Sequence, residues 1–360
     1  MPAPISSSTV RLTITRPDDW HVHLRDGDAL ASVVPHTARQ FARAIVMPNL
    51  GPPVTSTDAA REYRGRLLEA LANAVRTGRL AQGADFTPLM TLYLTDNTPV
   101  QEIARAKQSG IVHALKYYPA GATTNSDAGI TRLERVFPTL AAMEKHAVPL
   151  LVHGEVTDPG IDVYDREAVF IDTVLARILR RFQGLRVVFE HITTRDAVQF
   201  VQEAGVNVAA TITAHHLLYD RNAMFRGGIR PHLYCLPVLK GREHRVALLA
   251  AATGGNAKFF LGTDSAPHAR SAKESGCGCA GIYTAHAALG LYAEAFDAAG
   301  ALDRLEAFAA FHGADFHRLA RNTAKVALEK SSWIVPASYA FAGESLVPLR
   351  AGEAVAWKLG

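Results

Sequence analysis

The chain has 360 residues, 48% of them hydrophobic, and its 38 Lys plus Arg stand against 34 Asp plus Glu for a net charge of +4, with the basic residues scattered. That balance lacks the basic stripe of a nucleic-acid binder, while the small positive excess suits an anionic small-molecule substrate. Three cysteines (Cys235, Cys277, Cys279) form no disulfide framework, no membrane-length apolar run occurs, and MPAPISSSTVRLTI lacks a signal-peptide core, so a cytoplasmic protein without membrane contact is expected.

The first element is DDWHVHL (18–24). Extended, it puts His21, His23 and the following Arg25 on one face and Trp20, Val22 and Leu24 on the other. Two imidazoles and a guanidinium make a poor core. Next come RAIVMPN (43–49), an amphipathic helix over 57–75, TPLMTLYL (87–94) and VHALKYY (112–118). A helix over 131–147, PLLVHGE (149–155), a helix over 166–182, RVVFEHI (186–192), VAATITA (208–214) and KFFLGTD (258–264) follow. Eight strands alternating with helices predict a parallel sheet, either a (β/α)8 TIM barrel or a doubly wound open sheet. The barrel is favoured because polar residues end nearly every strand, where barrel enzymes carry their sites: His21 and His23, Asn49, Lys116, His153, His191 and Asp264. The expected layout is a single domain, 1–360, with the barrel over about 17–330. The terminal segments 1–16 and 331–360 are expected outside it as extra strands or loops.

A chain of this length needs no metal to hold it together, so a metal here would serve chemistry. Neutral imidazole and carboxylate suit zinc, and His21, His23, His153, His191 and Asp264 outnumber the needs of one tetrahedral ion, which hints at two. An ammonium at Lys116 would repel two dications. A lysine carboxylated on its nitrogen is instead an anion with two oxygens, able to bridge ions about 3.5–4 Å apart.

HVHLRD, MPNL, KYYPAGATTNS, LLVHGE, FEHITT, RPHLYCLP and FLGTDSAPH, in that order, resemble the amidohydrolase superfamily, and specifically its shorter, bacterial-type dihydroorotases. The resemblance implies that His21, His23 and Asp264 bind the more buried of two zinc ions per subunit. It implies that His153 and His191 bind the second, and that Lys116 bridges both as N6-carboxylysine. It assigns the substrate carboxylate to Arg25, Asn49 and His268, ring contacts to the backbone at Leu236 and Ala280, and a closing loop over 118–129 to Thr123 and Thr124. The implied activity is reversible interconversion of N-carbamoyl-L-aspartate and L-dihydroorotate in pyrimidine synthesis, with Asp264 as general acid and base, in a homodimer. Independently, a guanidinium at Arg25 can engage a carboxylate through two parallel bonds. Alternatives are a hydantoinase- or allantoinase-type cyclic amidohydrolase, with less use for that clamp, and a catalytically silent barrel serving assembly.

Other features read as structural. His215 and His216, as neighbours after the seventh strand, would point to opposite faces and not share an ion. GCGCAG (276–281) lies too far beyond the preceding strand to be a dinucleotide fingerprint, and reads as a loop whose backbone approaches a small ligand. Cys277 and Cys279, without a second pair, read as reduced thiols.

Overall fold

The computed structural model describes residues 10–360; residues 1–9, most of the expected leading segment 1–16, lie outside them. After β1 (Arg11–Thr15) come β2 (Asp19–Val22), β3 (Arg43–Val46), β4 (Thr87–Leu94), β5 (Val112–Tyr117), β6 (Leu150–Val152), β7 (Val187–Phe189), β8 (Val208–Ile212) and β9 (Phe259–Leu261). Strands β2 to β9 form one parallel eight-stranded sheet in sequence order. The two edges meet beyond the strand ends, where Asp264 N donates to His21 O at 2.9 Å and His23 N donates to Ser265 O at 3.1 Å. Asp19 ties the same seam by accepting from Thr263 N (2.9 Å) and the Thr263 hydroxyl (2.6 Å). The result is a (β/α)8 TIM barrel.

Each strand contributes a residue to one interior apolar layer: Trp20, Ile45, Leu89, Ala114, Leu151, Val188, Ala209 and Phe260. Trp20 is a correction to the expected alternation. Between the pairs Asp19–Ala44 and Val22–Val46, β2 advances three residues while β3 advances two. That extra residue is a bulge, which resets which face each side chain takes. Trp20 therefore joins the interior, and the next residue, His21, still reaches the mouth. The Trp20 ring stacks on His317 at 4.4 Å, and Gly313 is required beside it, since a Cβ there would stand 2.0 Å from Trp20 Nε1.

Helices take the expected places with altered ends. The first long one spans Thr57–Arg76, capped by the Ser56 side chain accepting from Ala59 N at 3.2 Å. The stretch 131–147 becomes a 3-10 turn, Leu133–Val136, running into a helix, Phe137–Lys145, with Pro138 in its first turn, where no donor is lost. The stretch 166–182 is helical with a π turn at Ile171–Leu175.

Outside the barrel, β1 pairs antiparallel with β10 (Lys325–Ile334), which pairs with β13 (Ala354–Leu359). A hairpin joins β11 (Tyr339–Phe341) to β12 (Glu344–Leu346). The tail thus supplies strands as expected, starting at Lys325 rather than after 330. Among the described residues no helix is long and apolar enough to cross a membrane.

Candidate metal centre and substrate cleft

Three donor atoms converge at the carboxyl ends of β2 and β9. His21 Nε2 lies 3.3 Å from His23 Nε2 and 3.3 Å from Asp264 Oδ1, and His23 Nε2 lies 3.1 Å from the same oxygen. All three residues are buried. Two imidazole nitrogens and a carboxylate oxygen at these separations match the edges of a tetrahedron around an ion about 2.0–2.1 Å from each ligand. Burial opposes ionisation of Asp264, but His21 and His23 outweigh it and hold its carboxyl well below the usual range. Burial likewise keeps His23 neutral, lowering it to about 4, the form that offers a lone pair.

The opposite side of the mouth is arranged differently. His153 and His191 stand side by side, with ring centroids 4.9 Å apart. His153 Nε2, however, is 2.8 Å from Glu155 Oε2, and the fully buried Lys116 Nζ pairs with Glu190. Glu190 Oε1 is also 3.0 Å from His21 Nδ1, close though not aligned as a hydrogen bond. The donor group that includes His191 is thus His21, Glu190 and His191, and its Nδ1 has no hydrogen-bond partner. Burial lowers the Lys116 ammonium, against the opposing pull of Glu190.

Sequence reading missed both glutamates. Glu190 had a signal: Lys116, His153 and Glu190 each stand two residues beyond the interior residues Ala114, Leu151 and Val188. Strand parity therefore points Glu190, not His191, into the mouth. His191 arrives because β7 stops at Phe189 and the backbone turns left-handed, with φ of 41°, while its N–H is held by Thr211 Oγ1 at 2.7 Å.

One cleft is lined by His21, His23, Arg25, Asn49, Thr123, Thr124, His153, His191, Leu236, Asp264 and Ala280, together with Tyr118, Ala266 and Gly281. Tyr118, with a buried, unpartnered hydroxyl, was also missed. Of the expected residues only Lys116 and His268 do not line the cleft. Arg25 reaches it by another route than strand alternation. Strand β2 ends at Val22, and Arg25 turns with φ of 61°. Its Nε donates to Pro267 O at 2.9 Å and its NH2 to His268 Nε2 at 2.8 Å. A guanidinium only donates, so His268 Nε2 accepts and its proton sits on Nδ1. Burial, reinforced by Arg25 and Lys273, keeps that imidazole neutral, lowering it to about 2. With Asp264 (φ 43°), three site residues hold left-handed backbone, strain of about 1–3 kcal/mol each that persists where the surroundings enforce it.

The loop after β5 lies across the cleft. Asn49 Nδ2 donates to Thr124 O at 3.1 Å, Asn125 Nδ2 donates to Asn49 O at 3.1 Å, and the Thr124 hydroxyl donates to Ala280 O at 3.4 Å. These bonds tie the loop to the Asn49 and Ala280 segments.

His215 and His216 are not on a strand: they lie in the helix Ala214–Leu218, so the expected opposition of faces does not hold, and their ligand atoms come within 4.8 Å of Cys235 Sγ. His216 is already engaged at both nitrogens, by the Thr213 hydroxyl (2.7 Å) and Pro237 O (3.1 Å), and Cys235 Sγ donates to Pro237 O at 3.3 Å. These bonds support the segment that carries Leu236.

Residues 14–347 match the Amidohydrolase family. Dihydroorotase from Methylobacillus flagellatus is 66% identical over 351 residues, covering 98% of this chain and 99% of that one. Among solved structures, dihydroorotase from Campylobacter jejuni has a TM-score of 0.87 at 33% identity, covering 99% of each chain. Dihydroorotase from Saccharomyces cerevisiae, in complex with 5-fluoroorotic acid, has a TM-score of 0.86 at 29% identity over 97% of this chain and 98% of that one. The chain belongs to the amidohydrolase family and, within it, to the dihydroorotases.

Proposed function

We propose that this enzyme interconverts N-carbamoyl-L-aspartate and L-dihydroorotate plus water, the ring-closing step of pyrimidine synthesis, using two zinc ions held by His21, His23, His153, His191, Asp264 and carboxylated Lys116. The observation that carries the reading is that the His21–His23–Asp264 donor set and Arg25 line one cleft, with His268 bonded to Arg25 from behind that lining. A donor set suited to a metal and a guanidinium suited to a carboxylate line the same cleft, which supports this reading.

Bound at these residues, the metal pair would supply a Lewis acid for the amide carbonyl and acidify the attacking water. Asp264, kept ionised by its histidine neighbours, takes the proton from that water in the hydrolytic direction and delivers it to the leaving ring nitrogen. Arg25 presents its fork to the substrate carboxylate, oriented by its bond to Pro267 O and by neutral His268. Asn49 anchors the loop that carries Thr123 and Thr124, and the closed loop keeps bulk water from the reacting amide. Burial favours the free amine of Lys116, the form that adds to carbon dioxide. The complex of the yeast relative with 5-fluoroorotic acid supports a ligand of this class.

The test compares kcat/KM for L-dihydroorotate with that for an uncharged hydantoin, in wild type and in Arg25→Ala. Preference for dihydroorotate should be strong in wild type and fall by about 10²-fold in the variant, mainly through KM. Preference for the hydantoin, or an unchanged KM in the variant, would overturn the assignment.

A further inference from the structure

Lys273, at the end of the short helix Arg270–Lys273, is only 3% exposed. Its Nζ donates to three main-chain carbonyls: Tyr234 O at 2.7 Å, Cys279 O at 2.7 Å and Gly281 O at 2.9 Å. An ammonium has three donors, and here each goes to a carbonyl. Two of those carbonyls bracket Ala280 and the third lies two residues before Leu236. Both Ala280 and Leu236 line the cleft and carry no polar side chain, so only their main chain can offer a ligand hydrogen bonds there.

The geometry has a directional consequence. With the carbonyls of Cys279 and Gly281 turned to Lys273, the Ala280 carbonyl between them turns away. It accepts from the Thr124 hydroxyl at 3.4 Å. Gly281 N donates to Tyr234 O at 3.0 Å, which joins the two segments directly beside the lysine. Gly281 has φ of 151°, a backbone conformation that a side chain would strain, and a Cβ there would stand 2.8 Å from Ala266 Cβ. The loop at 276–281 therefore takes a conformation that requires glycine at 281, with one buried cation bonded to its carbonyls.

We propose that Lys273 is a positioning residue: its ammonium clamps the 276–281 loop to the 231–237 segment, so that the Ala280 and Leu236 main chain is fixed for the heterocycle of the substrate. The substrate part of this inference rests on the function proposed above. The groups around the ammonium are the Tyr234 ring, 5.5 Å away, the Cys235 and Cys279 thiols, and neutral His268. Burial lowers Lys273 to about 8. Above that pH the amine keeps two N–H donors for three carbonyls, and the clamp loosens.

Lys273→Met keeps an unbranched stem as far as Cε and removes only the ammonium donors, and Lys273→Arg keeps the charge. Both are compared with the zinc-replete wild type by steady-state kinetics on L-dihydroorotate, by metal content and by amide hydrogen exchange. In the methionine variant, KM should rise about tenfold with kcat within about twofold and metal content unchanged, because the wall contacts ground and transition states alike. Exchange should accelerate selectively over 231–238 and 276–283, and the arginine variant should recover part of both effects. The wild-type KM should climb above about pH 8 while that of the methionine variant stays flat. Unchanged exchange in both segments overturns the proposal, as does destabilisation spread evenly over the chain or an unchanged KM. If the wild type itself failed to turn over L-dihydroorotate, the substrate assignment would fall, and the exchange comparison would still decide whether Lys273 is the clamp.

Discussion

The two sides of the barrel mouth each bring two histidines, one side with an aspartate and the other with a lysine, and they stand in different states. On the side of β2 and β9, His21, His23 and Asp264 already hold their donor atoms 3.1–3.3 Å apart, as an ion would require. On the side of β5, β6 and β7, His153 is taken by Glu155, and Lys116 by Glu190. The physical difference is charge. A plain lysine is a cation and draws in a carboxylate, whereas the carboxylated form is an anion that would repel Glu190 and free it for His21 Nδ1. A set made only of imidazole and carboxylate can preassemble from hydrogen bonds. A set that includes a carboxylated lysine, as proposed for Lys116, would assemble after the alteration.

The largest effect should come from breaking the unfinished side. Lys116→Ala leaves a methyl that cannot carry the carbamate, so bound metal should fall from two ions to at most one, and kcat/KM by about 10³-fold or more. Metal analysis and turnover check this together, and full activity with two ions bound would remove the bridging role. Glu190→Gln tests where Glu190 belongs. If it orients His21, affinity for metal at the preassembled site should fall about 10–100-fold, as for other carboxylates that support a ligand histidine. If Glu190 serves Lys116 alone, chelator competition will show that site unchanged.

The smallest effect lies away from the mouth. Burial lowers His36 to about 4, and His286 and His317 to about 3. These imidazoles are neutral in the folded chain, while their unfolded counterparts bind protons as the pH falls below about 6.5. Stability is therefore full above about 6.5 and declines as the pH drops toward the folded values, each group adding a slope of up to about 1.4 kcal/mol per pH unit. Urea midpoints between pH 7.5 and 5 should show this decline, and a flat profile would refute the neutral burial. His317→Gln should reduce the slope, and because His317 stacks on Trp20 at the interior layer, metal content should stay constant.

Much of this was legible before any coordinates. The alternation of apolar runs and amphipathic helices gave the barrel, and polar residues at strand ends gave His21, His23, His153, His191 and Asp264. Adjacency in sequence and order along the strands suffice there, because a closed parallel barrel carries every strand end to one face. Other placements came from local geometry that residue identity does not reveal. The bulge in β2 sends Trp20 inward against its expected parity. Left-handed turns aim Arg25, His191 and Asp264 at the cleft.

The sequence by itself thus determined the fold class and nearly the whole inventory of chemical groups, because periodicity and residue chemistry are local properties. Only the tertiary structure decided which partner each group takes: Glu190 for Lys116, Glu155 for His153, His268 for Arg25, and three carbonyls for Lys273. Pairing depends on where strands stop and turn. Those endpoints are set by long-range packing and by the cost of burying a charge without a partner.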